Sequence, residues 1–248
     1  MNDFIDKTIP LSWICKSNSL IKLIENALLE NKQETLLIAD FASGENDEVP
    51  LFFHTILPKC MGNIETHLLV YCMDIHSLRI ESLFDKLIEH GLVSNTRIVA
   101  AKFESMIESA RFPDIQLEYL NTAKGNQTWL DEDILKKRAV PMNCFDIGIL
   151  NNDVIGYVSE YYKEYTDARK SIEGIRNALR TGAILIVTQP CLLYPVDNIK
   201  ILSGLGFKFM DGLDIDLSTG TATVVTERTP PASLSRLGHY TFLVFETE

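Results

Sequence analysis

The chain has 248 residues, 46% of them apolar and 23% charged, with a formal net charge of -11. That length can bury a sizeable core, and the mixture is that of an ordinary globular protein rather than a disordered or fibrous one. The negative balance argues against a broad nucleic-acid footprint, and no apolar run approaches the ~20 residues that cross a bilayer, so neither a nucleic-acid nor a membrane partner is expected.

Ser19 to Leu29 carries apolar residues at helical spacing behind Ser17, Asn18 and Ser19, any of which can serve as N-cap. Glu34 to Asp40 is a first buried strand, and it runs into Phe41-Ala42-Ser43-Gly44-Glu45-Asn46-Asp47-Glu48. Small residues turn the chain there into a helix over Val49 to Ile56, with Pro50 in its first turn and Pro58 ending or kinking it. An acid at a strand's carboxyl end followed by a small-residue turn is how an open α/β sheet builds a ligand pocket. The charge of this turn is informative. Glu45, Asp47 and Glu48 would repel a pyrophosphate, so the pocket suits a ligand without phosphates, although acids are also favourable in any first helical turn.

His67 to Met73 is a second strand closing on Asp74, and Ser77 to His90 is a helix with Gly91 as its stop signal. Arg97-Ile-Val-Ala-Ala and Ile115 to Leu120 are both strand-like, with a helix-like Phe103 to Ala110 between them. Ile115–Leu120 is favoured as the third strand, which makes 95–112 an insertion. Phe145 to Leu150 is a strand ending in Asn151-Asn152-Asp153, followed by a helix from Tyr161 to Leu179 and a strand from Gly182 to Thr188. Asp197 to Gly206 is a short helix. Phe207–Met210, Thr221–Thr226 and Tyr240–Phe245 are strand-like, with no helix between the last two. Alternating strands and helices followed by a strand pair predict an α/β fold with a mostly parallel sheet and an antiparallel edge.

The order of elements resembles that of class I S-adenosylmethionine-dependent methyltransferases over roughly Leu20 to Phe245. Leu37-Ile-Ala-Asp40-Phe-Ala42-Ser-Gly44-Glu-Asn46 is similar to the family's acid and glycine-rich loop, with Ala42 and Asn46 in two of the three glycine places. Val70-Tyr-Cys-Met-Asp74-Ile75 is similar to its second strand, Phe145 to Val154 to its fourth, and Ala178 to Val187 to the helix-turn-strand that follows. The resemblance implies a three-layer α/β/α sandwich with a seven-stranded, Rossmann-like sheet, its last strand antiparallel and inserted beside the sixth. It implies S-adenosyl-L-methionine as cofactor, with Asp40, Ala42, Gly44, Asp74, Ile75, Asn121, Asn151 and Asn152 around it.

Each residue also has a plainer reading. Asp74 accepts hydrogen bonds from a ribose diol or caps the helix opening near Ser77. Asp40 faces the donor or braces the loop, and Asn151 to Asp153 flank the donor or form a polar turn. Trp129 stacks on adenine or packs on the surface. Tyr157, Tyr161, Tyr162 and Tyr165 pack on the sheet or wall an acceptor pocket. Where the acceptor must lose a proton, Asp153 is the first candidate base and His239 the second.

The expected activity is methyl transfer to a small molecule, or less favourably to a protein side chain. The competing reading is a catalytically inactive binding or scaffolding protein on the same fold, suggested by the two replaced glycines. A nicotinamide-linked oxidoreductase is disfavoured by the acidic loop and the lack of GxGxxG. Residues 1–33, with Trp13, form a helical segment that serves as lid or homodimer contact beside the 34–248 domain. His54, His67, His76 and His90 make no metal-ligand spacing, so no metal is expected. The five scattered cysteines form no CxxC pair and read as reduced thiols, and Met1 to Lys7 has no leader-like pattern. Both point to the cytoplasm.

Overall fold

The computed structural model describes residues 5–6, 8–30, 35–62, 67–74, 76–100, 103, 143–161, 163, 167–190, 196–234 and 236–248. Its centre is an eight-stranded sheet: β1 (Thr35–Phe41), β2 (His67–Asp74), β3 (Thr96–Ala100), β4 (Phe145–Leu150), β5 (Leu179–Gln189), β6 (Phe207–Asp216), β7 (Ala222–Val224) and β8 (His239–Thr247), in the order β3-β2-β1-β4-β5-β8-β6-β7. β1 to β5 pair in parallel. β8 is antiparallel to both neighbours and lies between β5 and β6. The expected inserted last strand is therefore present. The strand count is eight rather than seven because β7, three exposed residues, adds to the edge of β6 as a hairpin.

Two apolar layers cover the sheet, and strand alternation divides the side chains between them. Leu36 and Ile38 of β1 and Phe242 and Val244 of β8 pack with Leu20 and Ile24 of α1 (Asn18–Glu30) and Leu83 and Leu87 of α4 (Ser77–Glu89). Leu11 and Ile14 of a 3₁₀ helix, Pro10–Lys16, join this same core. The opposite face buries Ala39, Phe41, Leu185 and Phe245 under α6 (Ala168–Ala178) and α7 (Asn198–Ser203), through Ile172, Ile175 and Leu202.

Three expectations change. The place beside β2 belongs to Thr96–Ala100, the run set aside within the 95–112 insertion, while Ile115–Leu120 lies outside the described residues. The reason is local: α4 stops at left-handed Gly91, and a single 3₁₀ turn, Val93–Asn95, feeds straight into β3, completing a short βαβ crossover. Second, Pro58 does not end its helix. The segment runs as α2 (Glu48–Leu51), a π-helical stretch Phe52–Ile56, and α3 (Leu57–Met61), with Pro58 in the first turn of α3. The wider π turn leads into the position where the missing N–H costs little. Third, the helix expected from Tyr161 begins at Ala168. Asp167 caps it, its carboxylate accepting the Lys170 N–H at 3.1 Å, whereas Tyr157–Tyr161 form a π-helical turn after the three-residue α5 (Val154–Gly156).

Candidate functional site

At the carboxyl end of β1 the chain must reverse into α2 within a few residues. Ala42 and Gly44 both take left-handed backbone, each with φ of +59°. The turn is tied to the end of β2: the Ser43 N–H donates to the Met73 carbonyl at 2.9 Å, and the Gly44 N–H to Asp74 Oδ2 at 2.9 Å. Asn46 sits where the resemblance has a third glycine, and its Oδ1 accepts the Glu48 N–H at 2.9 Å, closing an Asx turn just ahead of α2. Alanine in left-handed backbone costs about 1–2 kcal/mol, partly offset by the extra chain entropy of glycine. Ala42→Gly should thus stabilise the fold by about 0.5–1 kcal/mol, seen as a higher urea midpoint at unchanged slope. A lower midpoint would show that the methyl group packs well enough to outweigh the strain.

The three loop acids separate. Glu45 lies against α4, taking the Ser82 hydroxyl at 3.2 Å, and Asp47 pairs with His90 Nε2 at 3.1 Å. Glu48 turns inward and is buried. Its Oε1 accepts the Leu11 N–H from the 3₁₀ helix and its Oε2 the Asn151 side-chain amide, the latter at 2.8 Å. Burial pushes its carboxyl up, against the lowering effect of those hydrogen bonds. Asp40 is fully enclosed, and burial, then repulsion from Glu48 and Asp74, drives its carboxyl well above the usual range. Asp40 Oδ1 has no hydrogen-bond partner. Asp74 is also raised by burial, although its two oxygens accept the Gly44 and His76 N–H groups, the latter at 2.7 Å.

After β4, Asn152 and Asp153 are consecutive left-handed residues, with φ of +65° and +61°. Asn and Asp tolerate that backbone better than other side chains bearing a Cβ, which accounts for the Asn-Asn-Asp run. The Asp153 N–H is held by the Thr188 carbonyl at 3.0 Å, and Asn151 Oδ1 accepts the Thr188 hydroxyl at 2.6 Å and the Tyr240 hydroxyl at 3.1 Å. Burial pushes the Tyr240 phenol well up, with Glu48 adding to the effect. Burial alone raises the Asp153 carboxyl to about 7, and its Oδ1 has no partner.

The ends of β1, β2, β4, β5 and β8 thus bring Asp40, Glu48, Asp74, Asn151 and Asp153 to one edge, where Asn151 is bonded to Glu48, Thr188 and Tyr240. Asp40, Ala42, Gly44, Asp74, Asn151, Asn152 and Asp153 were marked on sequence. Ile75, Asn121 and Trp129 lie outside the described residues, as do Tyr162 and Tyr165. His239 belongs to a different polar group: its Nδ1 is 2.9 Å from Asp214 Oδ2, an oxygen shared with Arg236, while Asp214 Oδ1 accepts the Thr241 hydroxyl. Thr188, Tyr240 and the Leu11 amide went unmarked. The first two sit inside apolar strand runs; the β4–β5 register puts Thr188 beside Asn151, and the insertion of β8 next to β5 brings Tyr240 there.

No protein-family model and no curated protein matches the chain. Solved structures do. A SAM-dependent methyltransferase from Aquifex aeolicus aligns over 96% of this chain and 98% of its own, at 14% identity with a TM-score of 0.50. A TehB-like SAM-dependent methyltransferase from Corynebacterium glutamicum aligns over 92% and 86%, at 12% identity and a TM-score of 0.50. The chain has the Rossmann-like fold of class I S-adenosylmethionine-dependent methyltransferases.

Proposed function

We propose that this chain is an S-adenosylmethionine-dependent methyltransferase acting on a small molecule. The observation that carries the reading is the set of buried carboxyls at the carboxyl edge, two of which, Asp40 and Asp153, keep an oxygen with no partner. Unpaired buried acceptors beside acids suit a cationic ligand and repel a phosphate. S-adenosylmethionine, with its sulfonium and ammonium and no phosphate, fits that donor set; when bound it would supply an electrophilic methyl group. Asp40, Glu48 and Asp74 would hold it by charge and hydrogen bonding, and Asn151 and Asn152 would border it. Asp153 would take a proton from the acceptor where one must leave, since a carboxyl near 7 is poised for that work. The 3₁₀ helix Pro10–Lys16 acts as a lid in this reading, latched through the Leu11 N–H to Glu48.

One observation favours the other reading, a non-catalytic binding protein on the same fold. Asn46 Oδ1 already holds the Glu48 N–H, Leu11 already occupies Glu48, and both oxygens of Asp74 already hold backbone amides. The test is calorimetric titration with S-adenosylmethionine and its demethylated product. Saturable binding of both is expected, and no heat at millimolar ligand would overturn the enzyme reading. Among the described residues no helix is long and apolar enough to cross a membrane.

A further inference from the structure

The 3₁₀ helix Pro10–Lys16 lies across the segment that carries Glu48, packing against α2, the π-helical stretch and α3. Leu11 and Ile14 anchor it in the core, and both are fully buried. Separate hydrogen bonds tie its two ends. The Leu11 N–H reaches Glu48 Oε1, and Lys16 Nζ, lying over the Trp13 ring, donates to the Gly220 carbonyl at 2.8 Å. Cys15 stands beside this anchor, half-buried against the same core, and Cys60 is half-buried on α3; both are free thiols. The Cys15 thiol is in hydrogen-bonding contact with the Cys60 thiol. Thiols this close can be joined by side-chain rotation with little backbone movement, which is the geometric condition for a disulfide. Cys72 and Cys144 lie elsewhere, the first enclosed within β2 and the second packed on the opposite face of the sheet.

We propose that Cys15 and Cys60 form a reversible disulfide that fixes the 3₁₀ helix Pro10–Lys16 to α3. The oxidant is a peroxide. The Cys60 sulfur attacks one peroxide oxygen, the O–O bond breaks, and water leaves, giving a sulfenic acid at Cys60. Burial, and then the neighbouring Cys60 thiol, push the Cys15 thiol up, so it keeps its proton and enters second. Its sulfur attacks the Cys60 sulfur, the S–O bond breaks, and the Cys15 proton leaves with the departing oxygen as a second water. Each sulfur gives up one electron, and the peroxide takes both. A dithiol reductant reverses the bond by exchange. The closed loop contains β1 and the whole turn from Ala42 to Glu48, so the bond restrains the helix and the turn together. The disulfide stands independently of methyl transfer; that it holds a lid shut over the donor rests on that proposed function.

The test treats the full-length chain with one equivalent of hydrogen peroxide, without S-adenosylmethionine, and maps its peptides by mass spectrometry in the absence of reductant. A Cys15–Cys60 cross-link is expected as the main product, with the intact chain lighter by two hydrogens, and dithiothreitol should restore the original mass. Amide hydrogen exchange then reads the effect on the helix. The Leu11 N–H should exchange at least about tenfold more slowly in the oxidised chain, because opening the helix away from Glu48 now works against the cross-link. Cys15→Ser and Cys60→Ser should each abolish both the cross-link and the slowing, which separates the disulfide from oxidation at any other site. A cross-link that fails to form, one that maps to another pair of cysteines, or unchanged Leu11 exchange after oxidation overturns the proposal. Because no donor is present, any of these outcomes leaves the calorimetric test of methyl transfer untouched, and a failed donor titration leaves this one untouched.

Discussion

Asp146→Ala is expected to destabilise the fold by about 2–4 kcal/mol, read as a fall in the urea midpoint. Asp146 lies in β4 and is buried, with one oxygen on Arg180 Nε at 2.6 Å and the other on the Leu37 N–H at 2.9 Å. Register pairing of β1 with β4 begins one residue later, at Ile38, so Asp146 supplies the acceptor that the ladder does not. Alanine would strand both a backbone donor and a guanidinium that is only partly solvated. Removing one member of a buried pair costs about 3–5 kcal/mol, and the partial exposure of Arg180 brings the figure down. The double variant Asp146→Leu with Arg180→Met should recover much of the loss, because an apolar pair leaves no unpaired charge. If Asp146→Ala alone lowers the unfolding free energy by less than about 0.5 kcal/mol, this joint between β1, β4 and β5 is held by packing alone.

How much of this could be read from the sequence depends on the range of the signal. β1, β2 and β4 were legible because each is an apolar run ending in Asp or Asn, and α4 because its spacing and Gly91 agree. The acids and asparagines at those strand ends could be placed for the same reason. The choice between Thr96–Ala100 and Ile115–Leu120 was not legible, since both are strand-like in composition. What decides it is the length of the connection from α4, which appears only once the helix end is fixed. The start of α6 is hidden in the sequence because Tyr161 continues an apolar pattern, whereas the cap that Asp167 gives α6 by accepting the Lys170 N–H is a polar signal that periodicity ignores. Glu48 was weighed only as charge, together with Glu45 and Asp47. Its separation from them depends on the turn at Asn46 and on the Leu11 amide, a contact between distant segments. Tyr240 and Thr188 are the clearest misses. Each is polar within an apolar strand, and their partner Asn151 comes from a third strand.

The four raised acids lead to the last prediction, in which stability and ligand affinity move in opposite directions. Asp40, Glu48, Asp74 and Asp153 all have carboxyls pushed up, with burial the first cause in each. A carboxyl raised in the folded state still holds its proton where the unfolded chain has released one. Its stabilising contribution is complete below the unfolded value and is lost as pH climbs through the folded value. For Asp153 that window runs from 3.8 to about 7, and the other three shift in the same direction. The urea midpoint should therefore fall as pH rises from 5 to 8, at up to about 1.4 kcal/mol per pH unit for each proton released. Asp40→Asn removes the most enclosed of these charges while keeping its shape, and an amide at that place can donate toward the acids that now repel it. At pH 8 the variant should be more stable by about 1–2 kcal/mol and should show a shallower pH slope. A cationic donor reverses the preference, because it favours the ionised acids and displaces their protons on binding. S-adenosylmethionine should accordingly bind more tightly at pH 8 than at pH 6, and Asp40→Asn should weaken it at least about tenfold despite the firmer fold. A variant that gains stability with unchanged affinity would assign Asp40 to bracing the loop. One that loses both would mean that the carboxyl at the end of β1 is ionised and satisfied in the folded protein, contrary to its surroundings.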